Sequence, residues 1–289
     1  MVSWAIDGIY RETIERFHLR AQRRRCSSRE KFFCQAEANS FCLGILYCNG
    51  TGASTEAVAD MALYHLISVF RNMTWSHLAA RSLDPEKWLD AHYNVPILSH
   101  NPRGHTLGII GLGNIGFAIA QKAFNAFGMR VLYNDVTRKP IKHEQAVEAT
   151  FYENLDEMLG VSDCVLLATP FAGKALITAS ALSKFKRGSR FINIARGSLV
   201  DEDALADVIQ SGHLCAAGLD VHAQEPSVSA RLIKYWNVTV TSHSGGGAFE
   251  TIVGFERLAM ENVERILLGE PALTGVNGHL MQQRTNGNA

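Results

Sequence analysis

Between Thr106 and Asp135 the chain reads TLGIIGLGNIGFAIAQKAFNAFGMRVLYND. Leu107 to Ile110 is a short, apolar, largely β-branched run, the pattern of a strand buried on both faces. Gly111, Gly113 and Gly116 follow at once in the spacing G-x-G-x-x-G. Ile115, Ala118, Ile119, Lys122, Ala123 and Phe127 then recur at helical spacing, and Arg130 to Asn134 reads as a second strand that ends at Asp135. Strand, glycine turn, helix and strand in that order make a βαβ unit, whose two strands are parallel and whose sheet needs helices on its faces.

Such a turn is built for a dinucleotide. The first glycine permits the tight turn, the second lets backbone approach a pyrophosphate, and the third lets the helix pack on the strand. The N–H groups at the helix start, around Asn114 and Ile115, favour a phosphate. Asp135 stands 24 residues after Gly111, where a carboxylate can accept hydrogen bonds from the adenosine ribose. It would repel a 2′-phosphate, so NAD is expected over NADP. Arg138 and Lys139 lie close enough to blunt that preference, although charges after a strand also make an ordinary solvated loop.

Composition excludes several other classes. In 289 residues, 28 Lys and Arg balance 28 Asp and Glu, which leaves no overall footprint for nucleic acid or an anionic membrane. The local exception, RAQRRRCSSR at Arg20 to Arg29, reads as a solvated basic face in preference to a localisation or polyanion patch. The six cysteines form no CxxC pair and no histidine cluster has zinc-ligand spacing, so no metal is expected. Cys164 and Cys215 open apolar runs and read as buried, reduced thiols of a cytoplasmic protein. No apolar run has the length of a membrane span or the form of a signal peptide.

Residues 1–43 carry weak periodicity, with one candidate helix through Ile6, Ile9, Tyr10, Ile14 and Phe17. GILYCNG, from Gly44, is strand-like and ends in a turn. Ser54 or Thr55 is placed to cap a helix from Glu56 to about Leu78, with a stripe through Val58, Met61, Ala62, His65, Leu66, Val69 and Met73. His65 on that stripe reads as a packing residue. Asp84 to Arg103, with three prolines and no periodicity, predicts an irregular connection, and a polar loop is expected from Asp135 to Glu148. Helices at Asn154–Leu159, Ser180–Phe185 and Asp201–Ser211 then alternate with strands at Cys164–Ala168, Arg190–Ile194, Cys215–Leu219 and Asn237–Thr241. A last helix, Phe249 to Leu268, carries Ile252, Phe255, Leu258, Ala259 and Ile266 on one face. This is the pattern of an α/β, doubly wound parallel sheet.

Ligands of such sheets bind beyond the carboxyl ends of the strands. Those ends here carry Thr169-Pro170, then Ala195-Arg196-Gly197, then Asp220 with Glu225-Pro226, then His243-Ser244-Gly245-Gly246. Arg196 can grip a carboxylate bidentately and polarise a neighbouring carbonyl. His243 can give or take the proton of a C2 oxygen. Glu225, hydrogen-bonded to the imidazole, would fix its tautomer. Asp220 and Ala195 stand where they could meet a nicotinamide carboxamide. Singly, each has a structural reading: Arg196 could pair with Asp201, and Glu225 could merely begin a turn. Their convergence behind a dinucleotide turn suits transfer of a hydride to or from C2 of a 2-oxoacid or 2-hydroxyacid.

GLGNIG, INIARGSLVDEDAL, GLDVHAQEP and TSHSGGG, in that order, resemble the D-isomer-specific 2-hydroxyacid dehydrogenases from Gly44 to about Gly275. The resemblance implies a Rossmann NAD-binding domain and catalytic roles for Arg196, Glu225 and His243. It implies an NAD site of Gly111, Gly113, Asn114, Ile115, Gly116 and Asp135, with Thr55, Thr169, Pro170, Ala195, Arg196, Asp220, His243 and Gly246 as further contacts. It also implies a small 2-oxoacid or 2-hydroxyacid substrate and a homodimer, with no nucleic-acid or membrane partner. The domains expected are a truncated or divergent remnant of a flavodoxin-like substrate domain at 1–52, the NAD-binding domain with its interdomain helix at 53–272, and a tail at 273–289. Residues 1–43 do not resemble the family's substrate domain. The competing readings are a dinucleotide-sensing, corepressor-like interaction protein and a catalytically impaired fragment. Phe171 and Phe249 are candidates to meet an aromatic substrate side chain, or are core.

Overall fold

The computed structural model describes residues 46–50, 52–170 and 174–277. The expectations for residues 1–43, including the basic run and Cys26, Cys34 and Cys42, and for Phe171 lie outside them. The backbone divides into two compact units, one of residues 50–260 and one that holds the described residues 46–49 and 261–277.

In the larger unit, helices α1 (Thr55–Arg71), α2 (Met73–Arg81) and α3 (Pro85–Leu98) lead into β1 (Thr106–Ile110), α4 (Asn114–Phe127) and β2 (Arg130–Asn134). Then come α5 (Ile141–Ala146), β3 (Thr150–Phe151), α6 (Leu155–Val161), β4 (Cys164–Leu167), α7 (Ala179–Leu182), β5 (Ser189–Asn193), a 3₁₀ turn at Gly197–Leu199 and α8 (Glu202–Gln210). β6 (Leu214–Leu219), α9 (Ala230–Ile233), β7 (Val238–Val240) and the start of α10 (Phe249–Leu267) complete it. The strands form one parallel sheet in the order β3-β2-β1-β4-β5-β6-β7. Leu107 lies opposite Val131 on one side and Cys164 on the other.

Alternation along each strand feeds two cores. Leu107, Ile109, Val131, Tyr133, Cys164, Leu166 and Ile192 pack with Ala62, Leu66 and Phe70 of α1 and Ile119 and Ala123 of α4. Val165, Leu167, Phe191, Ala217 and Leu219 pack with Met158 of α6, Leu182 of α7, and Leu205 and Ile209 of α8. Burial of both faces is what a near-continuous apolar strand signals, and it makes the sheet doubly wound as expected. Cys164 is fully buried, and burial pushes its thiol up to about 12. Cys215 is half-buried instead of enclosed.

The structure departs from the sequence expectations at four helices and one strand. The helix expected through Leu78 ends at Arg71, because Asn72 takes a left-handed conformation with φ 51° and donates its N–H to Ser68 O, and α2 starts afresh. Ser54 stands at the start of α1 without a capping side-chain bond. Asp84 to Arg103 is largely helical: Asp84 Oδ1 caps α3 by accepting the Glu86 N–H at 3.0 Å, and Pro85 occupies the first turn, where it sacrifices no bond. α3 buries only Ala91, so it has no stripe to read, and Pro96 falls in its last turn. α5 and the two-residue β3 occupy ground assigned to a loop. α10 runs as expected, with Ile252 and Phe255 exposed, since a helical period names a face without naming what covers it.

In the other unit, Cys48 bridges Gly275 in antiparallel fashion, with Val276 N–H donating to Tyr47 O at 2.8 Å. Among the described residues, no helix is long and apolar enough to cross a membrane.

Candidate active site

Because β1 and β4 are sheet neighbours while their chain continuations run to opposite edges, a crevice opens between their carboxyl ends. Along that edge the strand ends bring Asp135 (after β2), Gly111 (β1), Thr169 (β4), Ala195 and Arg196 (β5), Asp220 (β6) and His243 (β7) into one row.

Gly111 has φ +96°, and a Cβ there would press on the backbone of Ala168 and Thr169 at 3.0 Å. Gly116 packs directly on the carbonyl of Gly111, so helix α4 sits as close to the turn as the spacing predicts. A Cβ on Gly113 would meet nothing within 4 Å, so the loop presents open space at the start of α4, beside Asn114 and Ile115. These features fit a pyrophosphate on the first-turn N–H groups.

Asp135 Oδ2 accepts the Leu112 N–H at 2.8 Å, tying the carboxylate to the glycine loop, and Lys139 Nζ lies 2.9 Å from the same oxygen. A cavity of about 510 Å³ opens beside it, lined by Asn134, Asp135, Val136, Arg138, Phe151, Glu153 and Leu155. Its position and acidic edge fit an adenosine. Behind it, Arg138 makes a two-pronged bond to Glu144, Nε to Oε1 and Nη2 to Oε2, both at 2.9 Å. The Tyr133 hydroxyl donates to Glu144 Oε1 at 2.6 Å and accepts the Lys139 N–H. The guanidinium and the phenol hold the Glu144 carboxyl down at about 2. Burial, then Glu144, pushes the phenol up to about 12.

At the other end of the row, Asn193 shapes the turn that carries Arg196. Its Oδ1 accepts the Ala195 N–H and its Nδ2 donates to Arg196 O, both at 3.0 Å. Gly197 packs on the backbone of His222 and Ala223, which only a residue without a side chain permits, and this joins the Arg196 turn to the loop bearing Glu225. Ala223 N–H is further held by Glu202 Oε1 at 2.9 Å.

Glu225 Oε2 lies 2.9 Å from His243 Nδ1, and Glu225 Oε1 accepts the His222 N–H at 3.1 Å. Burial raises the Glu225 carboxyl, but these hydrogen bonds outweigh it and keep it below its ordinary value. An ionised carboxylate only accepts, so His243 Nδ1 carries a proton and Nε2 is the atom free to exchange one. The side chains are 42% and 36% exposed, and an ion pair in that setting contributes about 0–1 kcal/mol to stability.

His243 has φ 55°, a left-handed conformation costing about 1–3 kcal/mol for such a residue. Asp220 fixes it. The Asp220 carbonyl accepts the His243 N–H at 2.8 Å, Oδ1 accepts Ser244 N–H at 3.0 Å, and Oδ2 accepts Gly245 N–H at 2.8 Å. Oδ1 also accepts the Thr241 hydroxyl at 2.6 Å. That hydroxyl has given away its proton, so it accepts from His65 Nε2 at 3.1 Å, which leaves His65 Nδ1 bare and without a partner. Burial drives the His65 imidazole down to about 4, against a smaller upward pull from Asp220. A Cβ on Gly246 would stand 3.6 Å from Ser54 Cβ, so this glycine faces the start of α1, next to Thr55. Thr169 is half-buried and Pro170 exposed at the end of β4.

Asn193, Thr241 and His65 thus support the site without having been singled out for it. A buried hydroxyl between a carboxylate and an imidazole has no sequence period, although Thr241 two residues before His243 was visible. Among the described residues, no group of three or more His, Cys, Asp or Glu side chains could hold a metal ion.

Residues 63–245 match the NAD binding domain of the D-isomer specific 2-hydroxyacid dehydrogenases. A glyoxylate reductase of Pyrococcus horikoshii is 36% identical over 246 residues, covering 84% of this chain and 73% of that protein. The holo crystal structure of Rhodotorula graminis D-mandelate dehydrogenase superposes with a TM-score of 0.81 at 42% identity, over 83% of this chain and 70% of that one. An NADPH-dependent glyoxylate/hydroxypyruvate reductase of Sinorhizobium meliloti gives 0.68 at 30% identity, over 83% and 74%.

Proposed function

The chain belongs to the D-isomer specific 2-hydroxyacid dehydrogenases, NAD(P)-dependent oxidoreductases, and we propose that it reduces a 2-oxoacid to the D-2-hydroxyacid with NADH, using Arg196, Glu225 and His243. The observation that carries this reading is the 2.9 Å contact of Glu225 with His243 Nδ1 at the end of the strand row that begins with the glycine loop.

The cofactor, when bound, supplies or accepts the hydride. The first-turn N–H groups after Gly113 would hold its pyrophosphate, and Asp135 would accept from the adenosine ribose. Thr55, Thr169, Pro170, Ala195, Asp220 and Gly246, at or near the same edge, are the residues that would contact the rest of it. Arg196 binds the substrate carboxylate and draws electron density from the adjacent carbonyl. His243 Nε2 gives its proton to the C2 oxygen as that oxygen gains negative charge, and Glu225 stabilises the imidazolium from the other side of the ring. Asp135 supports NAD, because its carboxylate is placed to accept from the ribose 2′-hydroxyl that a 2′-phosphate replaces. The names of the relatives span small and aromatic acids, so the substrate class is 2-oxoacids from glyoxylate to phenylglyoxylate. A homodimer is supported by the apolar residues Leu78, Trp88, Tyr93 and Ile97 exposed on α2 and α3.

The test is NADH oxidation against a panel of 2-oxoacids, alongside His243→Ala and Arg196→Ala. Reduction should fall by about 10²- to 10⁴-fold in the histidine variant. The arginine variant should lose substrate affinity first. Retained NADH binding in both would separate chemistry from folding, and a wild-type chain inert towards the whole panel, yet binding NADH, would sink the reading.

A further inference from the structure

Asp135 is a weaker guard against a 2′-phosphate than its position implies. Lys139 Nζ sits 2.9 Å from Oδ2, and both side chains are largely shielded from solvent, so the pair is close to neutral. The other cation on the loop after β2 is Arg138, which lines the cavity beside Asp135. A guanidinium in that place is the group a 2′-phosphate would recruit, because its fork matches phosphate oxygens and stays charged. Two of its nitrogens are already committed to Glu144. Glu144 is buried on α5 and does not line the cavity. It is aimed by the hydroxyl of Tyr133, which lies on β2 with its ring fully buried.

We propose that Glu144 determines the cofactor choice of this chain by pairing the charge of Arg138 and occupying its Nε–Nη2 edge, so that a dinucleotide carrying a 2′-phosphate meets beside Asp135 an exposed guanidinium whose charge is already balanced. This rests on the reading of the glycine loop and Asp135 as the dinucleotide site. Glu144 is then a specificity-determining residue that touches no part of the ligand. Releasing Arg138 converts the cavity towards NADPH without any change at Asp135.

The test is calorimetric titration of NADH and of NADPH into the full chain, as wild type, Glu144→Gln, Glu144→Ala and the double variant Glu144→Gln with Arg138→Ala. The glutamine keeps an acceptor for Tyr133 and so preserves the local packing. In Glu144→Gln, NADPH should tighten by about 10-fold, the worth of one charge-assisted bond, with NADH changed by less than about twofold. The double variant should lose the gain. An unchanged ratio of the two affinities in Glu144→Gln overturns the proposal, as does a gain that survives loss of Arg138. Wild-type chain that binds neither dinucleotide overturns it together with the cofactor-site reading, so the two failures are told apart.

Discussion

Asp220 and Glu225 divide the work around His243. Asp220 sets the backbone of the loop in a conformation that histidine does not choose by itself, and Glu225 sets the ring. Glu225→Gln keeps the shape but replaces an acceptor-only carboxylate with an amide that can offer Nδ1 either a donor or an acceptor, so the ring tautomer is no longer fixed and kcat for oxoacid reduction should fall by up to about 10²-fold with KM little changed. A kcat equal to wild type would assign the glutamate to structure alone. His65, at the far end of the Thr241 hydroxyl, makes a separate prediction about stability. Its folded pKa, near 4, lies below its ordinary 6.5, so between those values the unfolded chain binds a proton that the folded chain does not. Stability is therefore complete above pH 6.5 and falls with pH by up to roughly 1.4 kcal/mol per unit as far as pH 4. Urea unfolding of His65→Gln should show a flatter dependence over that window. Parallel curves for the two proteins would mean that the imidazole is not protected from protonation.

At the scale of elements, the helix starts were the most legible features and the helix interruptions the least. Asp201, where the sequence starts a helix, is the N-cap of α8, its Oδ1 accepting the Ala204 N–H at 3.0 Å. Asp201→Ala should cost about 1 kcal/mol, which for a domain of this size is a fall in Tm of about 2–4 °C. Because α8 carries Glu202, which holds Ala223, the same variant should loosen the loop of Glu225, read as faster amide exchange there. A Tm within error of wild type would deny the cap any weight. The break at Asn72 was invisible for a physical reason. Val69 and Met73 stay in helical phase across it, and only the left-handed φ reports that the chain turns. α3 has the opposite property: an exposed helix carries no apolar period, and its Asp-Pro-Glu opening outweighs prolines that by themselves favour a loop.

For the molecule as a whole, α2 and α3 present exposed apolar side chains. Tyr93 and Ile97 are 64% and 75% exposed, and Trp88 and Leu98 lie on the same helix. Apolar side chains grouped in this way mark an association surface more often than a solvated one. Ile97→Glu combined with Tyr93→Glu should convert a homodimer into a monomer by sedimentation velocity, with NADH affinity retained. A wild-type chain that sediments as a monomer at micromolar concentration would remove the dimer from the account.

The sequence by itself determined the parallel α/β sheet, the glycine turn with Asp135, and which strand ends carry Arg196, Glu225 and His243. Those features are local: a buried strand, a turn that needs glycine and the acid after a strand are each written in a few consecutive residues. Tertiary structure decided how the candidates are held. The Glu225 to His243 contact, the clamp of Asp220 on the loop, the hydroxyl of Thr241 between Asp220 and His65, and the capture of Arg138 by Glu144 join residues on different turns and strands. Hydrogen bonds between side chains that meet only after the sheet has formed leave no period in the sequence, because their partners are set by strand order and not by spacing along the chain.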